Sequence, residues 1–408
     1  MWLACLILCL ISSSSRADKF TEELLLKPLA DGSLLASFNF VTTSPLSKSR
    51  QHFDLMPRLV GELLDEHHLE ELDISLSRGV WRSQLWGFPP RTSAVGSKVS
   101  AIFNEKVQDL DKSWVKLTNA LAGQFCASLN FLDSTQSITP KWSLSPMGIS
   151  KISATKRSKF GMLPGENVCT ENLTPWKKLL PCSSKRGLAT FLNADHIHAT
   201  KHHNLGLSLR KICPQSDEEE CSDPLIELSL YVVLVFDPAS LPDNLRASLT
   251  ERESSWSNWS IRTLFGIGVT SACPLAEFSK IFIEKQDNFD ILPGNQHTEE
   301  LDNLRIFNVN KLVANGINNL SVKYQKPLVY GWISKPRIYA NRYLKGHGNE
   351  KGGIVTKIFN EGTGPLKVVY LDVIPWFLRV YLHTLTVVTG KGEVVKPLKL
   401  GNLKSRNI

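Results

Sequence analysis

The run Leu225-Ile226-Glu227-Leu228-Ser229-Leu230-Tyr231-Val232-Val233-Leu234-Val235-Phe236 decides the fold. It reads as one long apolar strand, because β-branched and aromatic residues crowd it and it is far shorter than the ~20 residues a membrane-spanning helix needs. Outward from it, residues 280–284, 328–333, 353–359, 367–371 and 379–388 are further strand-like runs, parted by Gly, Pro and Asn. Parallel strands require crossovers, usually helical, and this half offers none. An antiparallel sandwich is therefore expected in place of a doubly wound sheet. The other apolar stretch, residues 368–385, is interrupted by Asp372 and Arg379 and does not suit a membrane span.

Upstream, residues 22–27 and 34–41 read as a hairpin around the turn signal Asp31-Gly32. Pro57 opens a helix in which Leu59, Val60, Leu63 and Leu64 share a face, and residues 69–76 follow as a strand. Trp81 and Trp86, within residues 80–90, predict an aromatic cluster under a loop, which packing alone explains. Residues 111–122 read as a second helix, with Trp114, Leu117 and Leu121 as a buried stripe and Gly123 as its stop. Polar stretches at 145–159 and 214–223 are the linker candidates, and the second is the expected domain boundary. The expected fold is mainly β: an N-terminal α+β domain at 18–215 holding a few helices, and a β-sandwich-like domain at 224–390.

Residues 1–11 are almost wholly apolar and end in Ser12-Ser13-Ser14-Ser15-Arg16-Ala17, the pattern of a secretory signal peptide over 1–17. Cleavage there removes Cys5 and Cys9 from the eight cysteines and leaves Cys126, Cys169, Cys182, Cys213, Cys221 and Cys273. In an oxidising lumen such thiols form disulfides, and six cysteines allow fifteen pairings. Cys213 and Cys221 bracket an acidic stretch without core-forming residues, so a bridge there is expected to staple a surface loop. Asn172, Asn258 and Asn319 each begin an acceptor sequon and are candidate glycosylation sites, which would place them on the surface. The formal charge of +8 would suit an acidic partner, but the 47 Lys and Arg are scattered, so no nucleic-acid partner is expected.

Catalytic patterns are missing from the residues. There is no caspase-like or papain-like cysteine signature, no Gly-x-Ser-x-Gly elbow, no phosphate-cradling glycine loop and no His-Glu-x-x-His. The most metal-like cluster is Asp195-His196-Ile197-His198 with His202 and His203, in which His196 and His198 alternate as on a strand face. It lacks a second ligand group at fixed spacing, so no metal, cofactor or catalytic residue is assigned.

The densest segment runs from Val168 to Lys185, where Cys169 and Cys182 frame the Asn172 sequon, Pro175-Trp176 and Lys177-Lys178. A glycan on Asn172 would put Cys169 near the surface, within reach of another chain. One intermolecular bond in a six-cysteine chain leaves one other thiol free or externally paired.

With this segment the chain resembles the T-subunit family of the glycosylphosphatidylinositol (GPI) transamidase. The same resemblance is carried by Asp111-Lys112-Ser113-Trp114, Phe125-Cys126-Ala127-Ser128-Leu129-Asn130-Phe131 with Asp133-Ser134-Thr135, Cys273-Pro274-Leu275-Ala276, and Pro375-Trp376-Phe377-Leu378-Arg379-Val380-Tyr381 with His383-Thr384-Leu385-Thr386. It implies a non-catalytic scaffold in the endoplasmic reticulum lumen, within a membrane complex that cuts a C-terminal signal from precursor proteins and joins the new end to a GPI lipid. The implied partners are the caspase-like catalytic K subunit and the other transamidase subunits, with precursors and lipid met indirectly. The family's cysteine matching Cys169 forms a disulfide to the catalytic subunit, a role the resemblance carries to Cys169. Relatives continue through more β structure to a transmembrane helix, whereas here the resemblance fades near Gly390 and residues 391–408 form a divergent basic tail. The alternative expectation is accordingly a truncated, non-functional or decoy form unable to assemble at the membrane.

Overall fold

The computed structural model describes residues 18–46, 54–133, 136–140, 146–149, 157–166, 168–183, 185–214, 221, 223–237, 259–285, 289–294, 299–301, 303–324, 336–346, 352–374 and 378–395. The expected leader at 1–17, the expected strand at 328–333 and most of the basic tail lie outside them.

The protein is mainly β, as expected. Its strands begin with β1 (Lys19–Pro28), β2 (Leu34–Pro45), β3 (Leu69–Arg78), β4 (Gly96–Phe103), β5 (Ser137–Ile138) and β6 (Ser158–Leu163). They continue with β7 (His202–Ile212), β8 (Leu225–Phe236), β9 (Trp259–Ser260), β10 (Phe278–Glu284), β11 (Phe289–Leu292) and β12 (Glu299–Leu301). The last are β13 (Leu304–Asn308), β14 (Ser321–Tyr324), β15 (Ile338–Lys345), β16 (Gly353–Asn360), β17 (Val387–Val388) and β18 (Val394–Val395). Among the described residues, 11 strands form one mixed sheet in the order β12-β13-β10-β1-β2-β8-β7-β3-β4-β6-β5.

β8 sits mid-sheet, paired antiparallel with β2 from Leu34↔Phe236 to Pro45↔Leu225 and with β7 from His202↔Val235 to Ile212↔Leu225. That position explains its composition, since a strand covered on both faces has no side that water selects to be polar. β1 and β2 form the expected hairpin around Gly32, which adopts φ 79°. β1 also pairs parallel with β10, Thr21↔Phe278 through Leu26↔Ile283. The stretch 214–223, expected as a domain boundary, therefore joins neighbouring strands of one sheet. Residues on its two sides share one core, in which Leu24, Phe38, Leu228 and Ile281 all pack.

Helices cover one face of this sheet: α1 (Arg58–Glu66), α2 (Ser83–Trp86), α3 (Leu110–Phe125), α4 (Thr170–Lys177), α5 (Ala194–His198), α6 (Ile261–Phe265) and α7 (Val309–Ala314), α2 excepted. Val60, Leu63 and Leu64 of α1, and Trp114, Leu117 and Leu121 of α3, are the buried stripes the spacing predicts. The small sheet β11-β14-β9 adds Phe289, Ile291 and Val322 to the same core. On the opposite face α2 supplies Trp86, which packs with Leu35, Tyr231 and Val233. Trp81 meets Trp86 edge-on at 5.2 Å, the aromatic cluster expected there.

Several expectations are corrected. Gly123 lies inside α3, which runs on so that Phe125, one turn beyond Leu121, is also buried. Residues 367–371 form no strand, and of residues 379–388 only Val387–Val388 do. Val369, Leu371, Leu378 and Val388 stand exposed, so apolar sequence there is not matched by burial. The His196–His198 stretch is helical, not a strand face. No helix of the described residues is long and apolar enough to cross a membrane.

Candidate interaction site at the α3–α4 junction

α3 begins at Asp109, whose carboxylate accepts the N–H of Lys112, and is anchored by Trp114, whose indole N–H donates to Leu132 O at 2.6 Å. It ends at Cys126, which takes the left-handed conformation at φ 50°. α4 starts at Cys169 and is held to the sheet by Leu173 and by Trp176, whose indole N–H donates to Gly206 O at 2.9 Å. Gly206 is required there, because a Cβ would run into the Tyr231 ring. These anchors bring the end of one helix beside the start of the next.

Asn172 joins them. Its Nδ2 donates to Phe125 O at 2.8 Å and Cys126 O at 3.0 Å, and its Oδ1 accepts the N–H of Cys169 at 2.8 Å. The side chain is 1% exposed. Asn172 is buried in place of the expected surface position, and a glycosylated Nδ2, which keeps one hydrogen, would not serve both carbonyls. Asn258 lies outside the described residues, although Trp259 and Ser260 of its sequon are buried. Asn319 is half-buried, and its Oδ1 accepts the N–H of Arg262 at 3.1 Å at the start of α6.

Cys126 is exposed and Cys169 half-buried, and both are free thiols. The other four described cysteines are bonded, Cys213 to Cys221 and Cys182 to Cys273. The second pair was not readable from spacing, being 91 residues apart. It ties the segment after α4 to the approach to β10. Beside it Gly187, at φ 70°, leaves room for the carboxyl of Glu22, which is fully buried on β1. Ser279 Oγ and Leu188 N–H both donate to Glu22 Oε2, while Oε1 has no partner among the described residues. Burial outweighs those hydrogen bonds and pushes this carboxyl above its usual range.

The inner side of Cys169 borders a small cavity that is also lined by His198, His203 and Asn204. The His198 and His203 rings stand edge-on at 5.1 Å. Neither ring nitrogen of His203 finds a partner among the described residues, and burial, reinforced by His198, His202 and Arg78, holds it down to about 3. Burial also lowers His196, whose Nδ1 lies 2.8 Å from Leu264 O, and His202, whose Nδ1 lies 2.8 Å from Gly79 O. These imidazoles are neutral packing elements. Among the described residues no three His, Cys, Asp or Glu side chains converge as a metal ion would need.

The segments expected to matter meet here. Residues 125–131 and 168–185 touch through Asn172, Glu166 just upstream accepts the N–H of Ser128 at 2.8 Å, and Cys273 is bonded to Cys182. Phe131 is 64% exposed and Leu275, two residues beyond Cys273, is 47% exposed, leaving apolar surface on the first of these segments and on the one bonded to Cys182. The class this defines is a mainly β protein that carries free thiols at the ends of two helices.

Residues 4–400 match the family described as Gpi16 subunit, GPI transamidase component. The chain belongs to that family. It is 36% identical over 402 residues to GPI-anchor transamidase component PIGT of Mus musculus, across 93% of this chain and 66% of that protein. It is 35% identical to the Homo sapiens protein of the same description, with the same coverage, and 26% identical to GPI transamidase component GPI16 of Saccharomyces cerevisiae over 413 residues. The chain thus spans 66% of the length of the mouse and human relatives.

Proposed function

We propose that this chain is a non-catalytic scaffold of a GPI transamidase complex, which holds the caspase-like catalytic subunit through a disulfide at Cys169 while GPI anchors are attached in the endoplasmic reticulum lumen. The observation that carries the reading is the setting of Cys169. It is one of two free thiols among the described residues, it stands at the start of a helix, and its backbone N–H is held by Asn172. A thiol so placed suits a covalent link, because the sheet below fixes where it is. The link makes further contacts between the subunits intramolecular, so a modest interface stays occupied. Phe131 and Leu275 supply apolar surface of the kind that such an interface covers. The other transamidase subunits are the remaining partners, and precursor protein and lipid are reached through them.

Co-expression with the catalytic subunit in cells lacking their own relative of this chain tests the reading. A heterodimer on non-reducing gels that separates on reduction is expected, and its loss in Cys169→Ser. A band unchanged by that substitution contradicts it.

A further inference from the structure

Among the described residues two thiols are free, and both occupy positions where a cysteine is an unexpected choice. Free cysteine is ordinarily among the most buried residue types, behaving as a small hydrophobe. Here Cys126 is exposed, so core packing does not account for it, and Cys169 is half-buried at the edge of a small cavity. Cys126 holds φ 50° and ψ 40° at the C-terminal cap of α3, a conformation that favours Gly or Asn. Cys169 holds the N-terminal cap of α4, which favours Ser, Thr, Asp or Asn. The two caps are bound to the same side-chain amide, Cys126 through its carbonyl and Cys169 through its N–H.

We propose that Cys126 is the exchange partner of Cys169: before the other subunit is bound, the two thiols close into an intrachain disulfide, which that subunit's thiolate opens when it attaches to Cys169. The capture step rests on the scaffold reading above, while the intrachain bond does not. Closure needs an oxidant, and glutathione disulfide serves. Both thiol protons are lost, the Sγ–Sγ bond forms, and the glutathione disulfide is reduced to two glutathione thiols. Capture is redox-neutral. The incoming thiolate attacks Sγ of Cys169, the bond to Cys126 breaks, and Cys126 leaves as a thiolate that takes a proton from water. Run backwards, Cys126 attacks the intersubunit bond and frees the partner, so the covalent link is reversible.

A disulfide requires the two Cα atoms within roughly 7 Å. α3 and α4 pack against each other, and the two cap residues are separated by one amide group and its two hydrogen bonds. Closure would bring the two caps within that distance, and it exchanges the Asn172 bridge for a covalent one.

The test is non-reducing peptide mapping of the whole chain, secreted or lumenal, after equilibration with glutathione and glutathione disulfide and trapping with N-ethylmaleimide. A peptide joining Cys126 to Cys169 is expected in the natural sequence. In Cys126→Gly, which suits the left-handed cap and keeps the fold, Cys169 carries glutathione at several-fold higher occupancy. Independent glutathione or maleimide on both cysteines, with no joined peptide where Cys213–Cys221 is fully formed, overturns the proposal. Should that result coincide with loss of the intersubunit band in Cys169→Ser, the exchange proposal falls and the scaffold reading stands. A joined peptide together with an intersubunit band that survives Cys169→Ser overturns the capture step.

Discussion

The N–H of Cys169 donates to Oδ1 of Asn172 at 2.8 Å, so the start of α4 is fixed by the residue that the sequon pattern would give to a glycan. Sequon and cap make opposite demands on one amide. In the folded chain the cap holds it.

Asn172 is accordingly expected to carry no glycan in the folded protein. Thr174→Ala, which destroys the sequon while leaving Asn172 in place, leaves gel mobility before and after endoglycosidase unchanged. Asn172→Ala removes three hydrogen bonds at a buried point and lowers stability by about 2–3 kcal/mol. Urea unfolding of the two variants separates the roles.

Cys126→Gly relieves a left-handed residue bearing a Cβ. A gain of about 1 kcal/mol is expected, visible as a higher Tm under reducing conditions, where no disulfide complicates the comparison.

The two disulfides close chain segments of very different length. Opening Cys182–Cys273, separated by 91 residues, with paired Ser substitutions costs about 4–5 kcal/mol by loop entropy. Opening Cys213–Cys221, separated by 8, costs about 2–3 kcal/mol. Calorimetry of the two variants should rank them in that order.

Acid weakens the fold through its histidines. Burial lowers His67, His196, His198, His202 and His203 in the folded chain, so below about pH 6.5 the unfolded chain binds more protons and stability falls as pH falls. Each extra proton adds a slope of ~1.4 kcal/mol per pH unit, and for His203 the loss continues down to about pH 3. Glu22 works in the opposite sense, because its raised folded value makes stability fall as pH rises from 4.5 through that value. Urea midpoints measured from pH 8 to pH 4 should therefore decline for the natural chain. The difference between Glu22→Gln and the natural chain should grow in the variant's favour as pH rises.

Much of the sheet was legible because its signals are local. Residues 225–236 are apolar on both faces and became the central strand, and Asp31-Gly32 closed the hairpin that its turn chemistry announced. The parallel pairing of β1 with β10 was not legible, since it joins Thr21 to Phe278 and no local pattern records such a meeting. Residues 367–371 misled for a different reason: apolar composition makes a strand only where something covers it, and here nothing in the described chain does. Of the site, cysteine parity pointed to an odd pair of thiols. The spacing of Leu173 and Trp176, which turns Asn172 inward with them, was the available signal for its burial, and the sequon masked it.

The central claim is that Cys169 joins this scaffold to the catalytic subunit, and the most direct measurement is mass spectrometry of the non-reduced complex. The account predicts a peptide containing Cys169 bonded to a cysteine of the catalytic subunit, absent after reduction and absent in Cys169→Ser, with Cys126 recovered as a free thiol. Recovery of Cys169 as a free thiol in an intact, active complex would contradict it.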